Sequence, residues 1–469
     1  MPKGKINARE RERILKLLSQ GWTTASIASE IGVSPRQVAA VKAHQTMRSY
    51  RVPEQLSPNT PEHTKNQTLA PLTSESVTEY TNAILIDELQ TGLSQIAIPV
   101  GHEKTTRKQI YWDPDPEFGS ANPHLMIMGE SGYGKTYTIQ CLVSELAVRG
   151  VPSIIIDYGR GFDLEVAPKE FLQSSYPLEI MAGELGININ PLQIHSADVN
   201  GPINVAVRVS DSFGRVYRIG VQQHALLRDV ILEVFEDHGI KASDKSSWST
   251  PAPHLIEVQR KLEQISSTPT SDVSKIALSL KSHISTFFIF NTFRPSGELL
   301  NWDALTTSKH KCYIIQLKGL EGRTQQVVTD FLLWELYYYM VRTGPRPLHL
   351  YCILDEAHNL SFLKDTPVDK LIREARKFGV GLIFASQQPK DFSDTAYSNS
   401  ASKLIFQTLD ENKKIARKIV AKSQNVQNAE VLVGIMGRLK KGQAFFITQN
   451  NGFEVEVDSF STRPHLLAN

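Results

Sequence analysis

One stretch of eight residues has the types and spacing needed to hold a phosphate group: Gly129-Glu-Ser-Gly-Tyr-Gly-Lys-Thr136. A short apolar run precedes it, and a helical pattern follows from Tyr137 to Arg149. Glycines let successive backbone N–H groups turn toward an anion without Cβ clashes, and the helix start points its positive dipole end there. In this Gly-x4-Gly-Lys-Thr spacing, Lys135 can reach the β- and γ-phosphates and the Thr136 hydroxyl can ligate Mg²⁺.

The sequence therefore predicts a site for ATP and Mg²⁺, and the alternative is a glycine-rich turn with no ligand. The candidate nucleotide-binding residues are Gly129, Ser131, Gly132, Tyr133, Gly134, Lys135, Thr136 and Tyr137.

Two adjacent carboxylates, Asp355 and Glu356, follow an apolar run from Leu348 to Leu354. Hydrolysis of a nucleotide needs an acid that orients the metal and a group that activates water. We expect Asp355 to hold the Mg²⁺ shell, directly or through water, and Glu356 to polarise the attacking water. The alternative is a solvent-exposed strand end with no catalytic role.

Three further side chains are candidates for contact with the γ-phosphate. Gln387 lies at the tip of the next predicted strand. If that strand lies between the strand before the glycine-rich loop and the strand before Asp355, the amide can bind the γ-phosphate or the lytic water; the alternative is an ordinary turn residue. Arg373 and Arg376 precede that strand, and an arginine finger from a neighbouring subunit stabilises charge on the transferring phosphoryl group. Arg438 is a third candidate finger, and each arginine has the alternative of a surface or DNA-facing cation.

Apolar runs and helical patterns alternate along the chain after the glycine-rich loop, which is typical of an α/β doubly wound, mostly parallel sheet. Predicted strands are 96–100, 109–112, 124–128, 151–157, 312–317, 348–354, 380–385 and 403–407, and residues 186–192 read as a further strand end and loop. Predicted helices are 220–238, 253–288, 325–342 and 368–378. Residues 443–448 and 453–457 are predicted to form a closing hairpin.

The first 50 residues predict a small all-α domain with a helix-turn-helix, in which Ser34-Pro35 starts the third helix. Residues 1–52 carry ten Lys and Arg against three Glu, or +7, which leaves −5 for the rest because the whole chain has +2. A basic head is expected to contact a polyanion. The outward-facing residues of the recognition helix would be Arg36, Gln37, Ala40 and Lys42. The alternative is a three-helix scaffold that binds protein.

The sequence thus divides into a helix-turn-helix domain (1–50), a Pro- and Ser-rich linker (51–75) and an ATPase domain (76–469) with a helical insertion at about 195–305. No apolar run approaches the ~18 residues of a membrane span, and the first residues lack the apolar core of a signal peptide. We therefore expect a cytoplasmic protein with no membrane partner. The three scattered cysteines, Cys141, Cys312 and Cys352, are expected to be buried thiols rather than zinc ligands.

Four segments together resemble the HerA/FtsK superfamily of DNA-pumping ATPases, and most closely its HerA-type members. They are Gly129-Glu-Ser-Gly-Tyr-Gly-Lys-Thr136, Ile156-Asp-Tyr-Gly-Arg-Gly-Phe162, Ile353-Leu-Asp-Glu-Ala-His358 and Arg373-Glu-Ala-Arg-Lys-Phe-Gly-Val-Gly-Leu-Ile-Phe-Ala-Ser-Gln-Gln-Pro389. The resemblance covers about residues 95–465. It implies a RecA-like core, a homohexameric ring, ATP hydrolysis at subunit interfaces and translocation of double-stranded DNA. It also implies a partner nuclease or other effector, as in DNA-end processing and phage defence.

Two features depart from that family. A helix-turn-helix and linker stand where HerA proteins usually begin with a small β-barrel, which leaves partner docking open. The family's Thr-Gln-Arg-Pro reads Ser386-Gln-Gln-Pro here, so Gln388 replaces a cation.

The leading hypothesis is an ATP-driven, ring-forming DNA translocase. One alternative is a DNA-binding regulator in which ATP only sets the oligomeric state. Another is a conjugation- or secretion-type ATPase that pumps protein or single strands at a membrane.

Overall fold

The computed structural model describes residues 93–467 apart from 119, 269–270, 291, 294–299, 409–412, 422–424 and 449–450. Nearer the N-terminus it describes residues 13–14, 16–18, 22–33, 38 and 41. The chain divides into two compact units, Met1–Ser74 and Glu75–Asn469.

The described part of the first unit contains helix α1, Thr24–Ile31. The Thr23 side chain caps its start by accepting a hydrogen bond from the Ser26 N–H at 3.2 Å, and Gly32 ends it in the left-handed conformation with φ 75°. The buried apolar residues of this unit are Ile14, Ile27, Ala28, Val38 and Val41. The predicted recognition-helix residues 36, 37, 40 and 42 and the predicted linker lie outside the described residues.

The second unit is built on one large sheet. Its strands are β1 Ile98–Glu103, β2 Gln109–Trp112, β3 Leu125–Met128, β4 Ser153–Asp157, β5 Pro177–Ile180, β6 Cys312–Gln316, β7 Leu350–Leu354, β8 Val380–Ser386, β9 Ser402–Ile405, β10 Gln443–Thr448 and β11 Asn451–Val457. Within the described residues their order is β2-β1-β11-β10-β9-β3-β8-β7-β4-β6-β5. The seven strands from β9 to β5 are parallel, and β10, β11, β1 and β2 add an antiparallel end.

The helices of the second unit cover both faces of the sheet. They are α2 Lys135–Val148, α3 Lys169–Ser175, α4 Ala182–Leu185, α5 Pro202–Tyr217, α6 Val221–Asp237, α7 Leu255–Ser267, α8 Asp272–Ile289, α9 Trp302–Thr307, α10 Gly322–Thr343, α11 Pro367–Glu374, α12 Asp394–Ser398, α13 Lys414–Val420 and α14 Ala429–Arg438. Among the residues that the structure describes, no helix is both long and apolar enough to cross a membrane.

Alternation of side chains along the central strands separates two hydrophobic cores. On β3, Met126 and Met128 pack into one core and Leu125 and Ile127 into the other. Helix α2 lies in the second core, and α5 to α11 contribute to the first. All four β3 residues are buried, as expected of a strand covered by helices on both sides. The α/β doubly wound, mostly parallel fold predicted from the sequence is confirmed.

Several local predictions were wrong or incomplete. Residues 186–192 form a loop, and among the described residues their only β-pairing is an isolated bridge from Ile187 to Phe293. The strand of this region is β5, which lies before this loop in the chain. The pattern at 253–288 forms two helices, α7 and α8, and α5 was not anticipated. The hairpin of β10 and β11 has the predicted antiparallel pairing.

Candidate nucleotide-binding site

The glycine-rich loop connects the buried strand β3 to helix α2 at the carboxyl edge of the parallel strands. Gly132 has φ 86°, a left-handed conformation that suits glycine. A Cβ atom on Gly129 would lie 2.5 Å from the Cβ of Phe406, so a larger residue there would displace the chain directly after β9. These backbone requirements explain why the loop is glycine-rich, and they leave a cradle of N–H groups at the start of a helix.

Lys135 is the first residue of α2 and is only 8% exposed. Its Nζ donates hydrogen bonds to the carbonyl oxygens of Gly129 at 2.7 Å and Glu130 at 3.1 Å, so the side chain folds back over the loop. Burial lowers its pKa, and the negative charges of Asp355 and Glu356 oppose that change. A buried ammonium at the start of a helix, next to the glycine loop, is suited to bind a polyanion.

Thr136 joins the two halves of the predicted site. Its Oγ1 donates a hydrogen bond to Asp355 Oδ2 at 3.0 Å, across 219 residues of chain. Asp355 is 5% exposed and directly follows the buried strand β7. Gly161 closes over the pair, because a Cβ there would lie 2.9 Å from Thr136 Cγ2. The glycine loop and the acid pair therefore belong to one site.

This hydroxyl–carboxylate pair fits the ligand preferences of Mg²⁺. Burial, followed by the charge of Glu356, raises the pKa of Asp355 to about 6, against the hydrogen bond from Thr136. A cation between Thr136 and Asp355 would offset the free-energy cost of ionising this buried carboxyl group. The described residues contain no group of three or more His, Cys, Asp or Glu placed to hold a metal, so Mg²⁺ would need phosphate oxygens and water as further ligands.

Asp355→Asn is expected to stabilise the nucleotide-free protein at pH 8 and to do so by about half as much at pH 5, which lies between the two pKa values of the carboxyl group. An acid whose pKa is raised on folding contributes full stability below its unfolded pKa of 3.8 and loses it as pH rises through about 6. The shift corresponds to roughly 1–3 kcal/mol at pH 8. Thermal unfolding of both proteins at the two pH values, in EDTA, measures it; equal unfolding temperatures at pH 8 would contradict it.

Glu356 follows Asp355 in the left-handed conformation, with φ 58°, which is uncommon for a residue with a side chain. Its N–H donates to Asp355 Oδ1 at 3.0 Å. Its Oε2 lies 3.2 Å from His358 Nδ1 without hydrogen-bond geometry, and it is buried with no hydrogen-bond partner among the described residues. The turn therefore places at the cavity a carboxylate with one acceptor oxygen that no described group satisfies.

Strand β8 lies between β3 and β7, as the hypothesis for Gln387 required. Gln387 and Glu356 line the same cavity of about 570 Å³ as the glycine loop. The lining residues are Ser131, Gly132, Tyr133, Gly134, Lys135, Thr136, Tyr137, Thr138, Glu356, Gln387, Phe406, Lys441, Gly442, Val457, Asp458 and Ser459. A larger cavity of about 740 Å³ lies at the opposite, amino edge of the strands, away from this chemistry.

The candidate arginines have different environments. Arg373 Nε donates to Asp369 Oδ1 at 2.9 Å, and its Nη2 donates to Thr395 Oγ1 at 3.3 Å. Arg376 is exposed and lines the amino-edge cavity, so it does not reach the glycine loop of its own chain. Arg438 is exposed at the end of α14.

Sequence reasoning missed the outer wall of the cavity, which comes from the start of β10 and the residues after β11. It also assigned no role to Asp157, whose carboxylate holds the loop over Thr136 by accepting hydrogen bonds from the N–H groups of Gly159 at 3.0 Å and Phe162 at 3.2 Å. The signal for Asp157 was present, since an acid ends a buried strand there. The wall has no such signal, because only pairing with the distant β1 and β9 brings it to the site.

The family model described as "Helicase HerA, central domain" matches residues 119–336, and the model described as "Homeodomain-like domain" matches residues 5–46. The matched region contains the glycine loop and Asp157. Just under half of the chain therefore matches the central domain of the HerA helicases. The chain's resemblance to this family is confirmed, together with the homeodomain-like N-terminal region.

Named relatives agree with this assignment. The DNA double-strand break repair helicase HerA of Saccharolobus solfataricus is 21% identical over 341 residues, which cover 69% of this chain and 61% of that protein. The chain spans about three fifths of the length of the curated relatives it matches.

Solved structures show the same fold. VirB4 of Thermoanaerobacter pseudethanolicus is 18% identical with a TM-score of 0.59, covering 77% of this chain and 96% of VirB4. The plasmid coupling protein TrwB, in complex with the ATP analogue ADPNP, is 13% identical with a TM-score of 0.51, covering 72% and 87%.

Proposed function

We propose that this HerA-type chain hydrolyses ATP with Mg²⁺ and uses the energy to move double-stranded DNA through a ring of identical subunits, with six as the expected number. The observation that carries the ATPase part is the Thr136–Asp355 hydrogen bond of 3.0 Å, which closes the glycine loop on the acid strand. The curated relatives are named as helicases, which supports DNA as the substrate.

Each residue has a defined task in this proposal. The loop N–H groups and Lys135 bind the β- and γ-phosphates, and Thr136 and Asp355 hold Mg²⁺. When bound, the metal neutralises phosphate charge and so favours cleavage of the terminal phosphoanhydride. Glu356 accepts a hydrogen bond from the attacking water and orients it. Gln387, at the tip of the strand between the two halves, is placed to hydrogen-bond the γ-phosphate or that water.

The N-terminal region supports a second contact with DNA. Its charge of +7 and its homeodomain-like match favour binding to phosphates. A nuclease or other effector as partner, in DNA processing or phage defence, remains part of the proposal on the strength of the family resemblance.

ATP turnover is expected to increase severalfold when long duplex DNA is added to the full chain, and particle mass in solution is expected to be a multiple of 52.5 kDa near six subunits. Steady-state phosphate release with and without DNA, alongside light scattering, tests both parts. Lys135→Ala is the control and should show no turnover. ATP binding without any turnover would instead favour an ATP-switched regulator, and a monomer with full turnover would refute the ring.

A further inference from the structure

The outer wall of the nucleotide cavity is attached directly to the glycine loop. The Gly442 N–H donates to the Tyr133 carbonyl at 3.4 Å, and the Val457 N–H donates to the Gly442 carbonyl at 2.8 Å. Gly442 has φ 80°, so the chain turns sharply just before β10. Lys441 is the residue before this turn and lines the cavity. Its backbone is therefore held at a defined place beside the phosphate-binding loop.

Four charged side chains line this cavity, and three of them lie next to protein groups other than Lys441. Lys135 bonds to loop carbonyls, and Glu356 lies beside His358. Asp458 is 7% exposed and accepts hydrogen bonds from Gln109 Nε2 at 2.9 Å and, at 3.1 Å, from His102 Nδ1. Its carboxylate is thus satisfied by β1 and β2 rather than by Lys441.

Lys441 is the fourth charged side chain that lines the cavity. It is exposed, and in the part of the chain that the structure describes no carboxylate forms an ion pair with it. A flexible lysine without a counter-ion, on a backbone fixed beside a phosphate site, gains a strong charge-assisted hydrogen bond when a polyanion binds.

We propose that Lys441 is a second phosphate-binding cation of the nucleotide site, acting in the same chain as Lys135 and from the outer wall of the cavity. This inference rests on the proposed function, because it takes the ligand of the cavity to be a nucleoside polyphosphate. It means that the C-terminal hairpin also helps to bind the nucleotide. The sequence motifs assign that role only to the glycine loop and the acid pair.

The neighbouring residue offers a matched control. Lys440 has the same side chain and is also exposed, but it does not line the cavity, and its N–H donates to Gln443 Oε1 at 3.1 Å. Replacing either lysine by alanine removes one positive charge from the same turn. A difference in ATP affinity between the two variants therefore reflects the position of the lysine beside the ligand and not the loss of one positive charge.

Lys441→Ala is expected to weaken binding of ATP, and of inorganic tripolyphosphate, by roughly tenfold, while adenosine binding stays unchanged. Lys440→Ala should bind all three as the wild type does, and Lys441→Arg should restore binding to within about twofold. Isothermal titration calorimetry on the full chain, with Mg²⁺ present, measures these affinities, and matched thermal unfolding of the two alanine variants checks the fold.

Unchanged ATP binding by Lys441→Ala overturns the inference, and so does an equal loss of ATP and adenosine binding, because that would show a structural effect on the wall. An equal loss in Lys440→Ala overturns it as well. These outcomes can be told apart from failure of the proposed function. If the wild-type chain binds no ATP, both the proposed function and the role of Lys441 are refuted. If the wild-type chain hydrolyses ATP and Lys441→Ala binds ATP equally well, only the role of Lys441 is refuted.

Discussion

Glu356→Gln is expected to reduce ATP turnover by roughly 10²- to 10⁴-fold and to leave ATP binding intact. The substitution keeps the size of the side chain and its acceptor oxygen but removes the charge that polarises water. Glu356 Oε2 is buried and lacks a hydrogen-bond partner among the described residues. The residue lines the cavity, and its backbone N–H donates to Asp355. The left-handed backbone at this position does not depend on the charge, so the turn should survive the change.

Single-turnover hydrolysis and equilibrium binding of ATP separate these two effects. Asp355→Asn provides the comparison, because loss of a metal ligand should weaken Mg²⁺-dependent ATP binding as well as hydrolysis. If Glu356→Gln hydrolyses ATP at the wild-type rate, the water-activating role is wrong and another group must supply it. If it no longer binds ATP, the residue holds the site together and does not act on water.

The centre of this site could be predicted from the sequence because the glycine-rich loop and the acid pair each have a recognisable local pattern. A glycine-rich loop of this spacing between a strand and a helix indicates phosphate binding. Adjacent acids after an apolar strand are the groups that hydrolysis requires beside such a loop. The placement of Gln387 also followed, once β8 was taken to lie between the other two strands. Parallel strands end at a common edge, so residues that follow them meet whatever their separation along the chain.

The features that sequence did not reveal depend on tertiary pairing. The cavity wall at Lys441 and Asp458 forms because β10 pairs with β9, and β11 pairs with β1, at the antiparallel end of the sheet. Strand β5 was missed because Pro177-Leu-Glu-Ile180 is short and half-buried at the sheet edge, which removes the apolar run that marked the central strands. The left-handed turn at Glu356 has no glycine to signal it.

The arginine finger could not be chosen from sequence, since Arg373 and Arg376 lie one helical turn apart and have similar neighbours. The structure separates them by their partners. Arg373 is held by Asp369 and Thr395, whereas Arg376 is exposed at the amino edge of the sheet. In the head-to-tail ring that we propose, one surface of each subunit contacts a different surface of the next. Because Arg376 is exposed and lies away from the glycine loop of its own chain, we expect it to be the arginine that acts on a neighbour's γ-phosphate.

Arg376→Ala is accordingly expected to lower ATP turnover by roughly 10³-fold or more, with ATP binding and ring assembly retained. Arg373→Ala should lose the ion pair with Asp369 within α11 and the hydrogen bond to Thr395 in α12, and it should keep most of its turnover. Phosphate release by both variants, with light scattering to check assembly, makes the comparison. A large loss in Arg373→Ala alone would reverse the assignment.

Mixing two inactive variants tests whether Arg376 acts between subunits. Arg376→Ala keeps its own Glu356, and Glu356→Gln keeps its own Arg376, so a mixed ring contains some interfaces with both groups intact. Turnover should therefore reappear on mixing if the arginine serves the neighbouring site. If Arg376 served its own site, each chain would lack one essential group and no mixture would recover activity. The amino-edge position of Arg376, at the far end of the strands from Lys135 and Thr136, favours recovery.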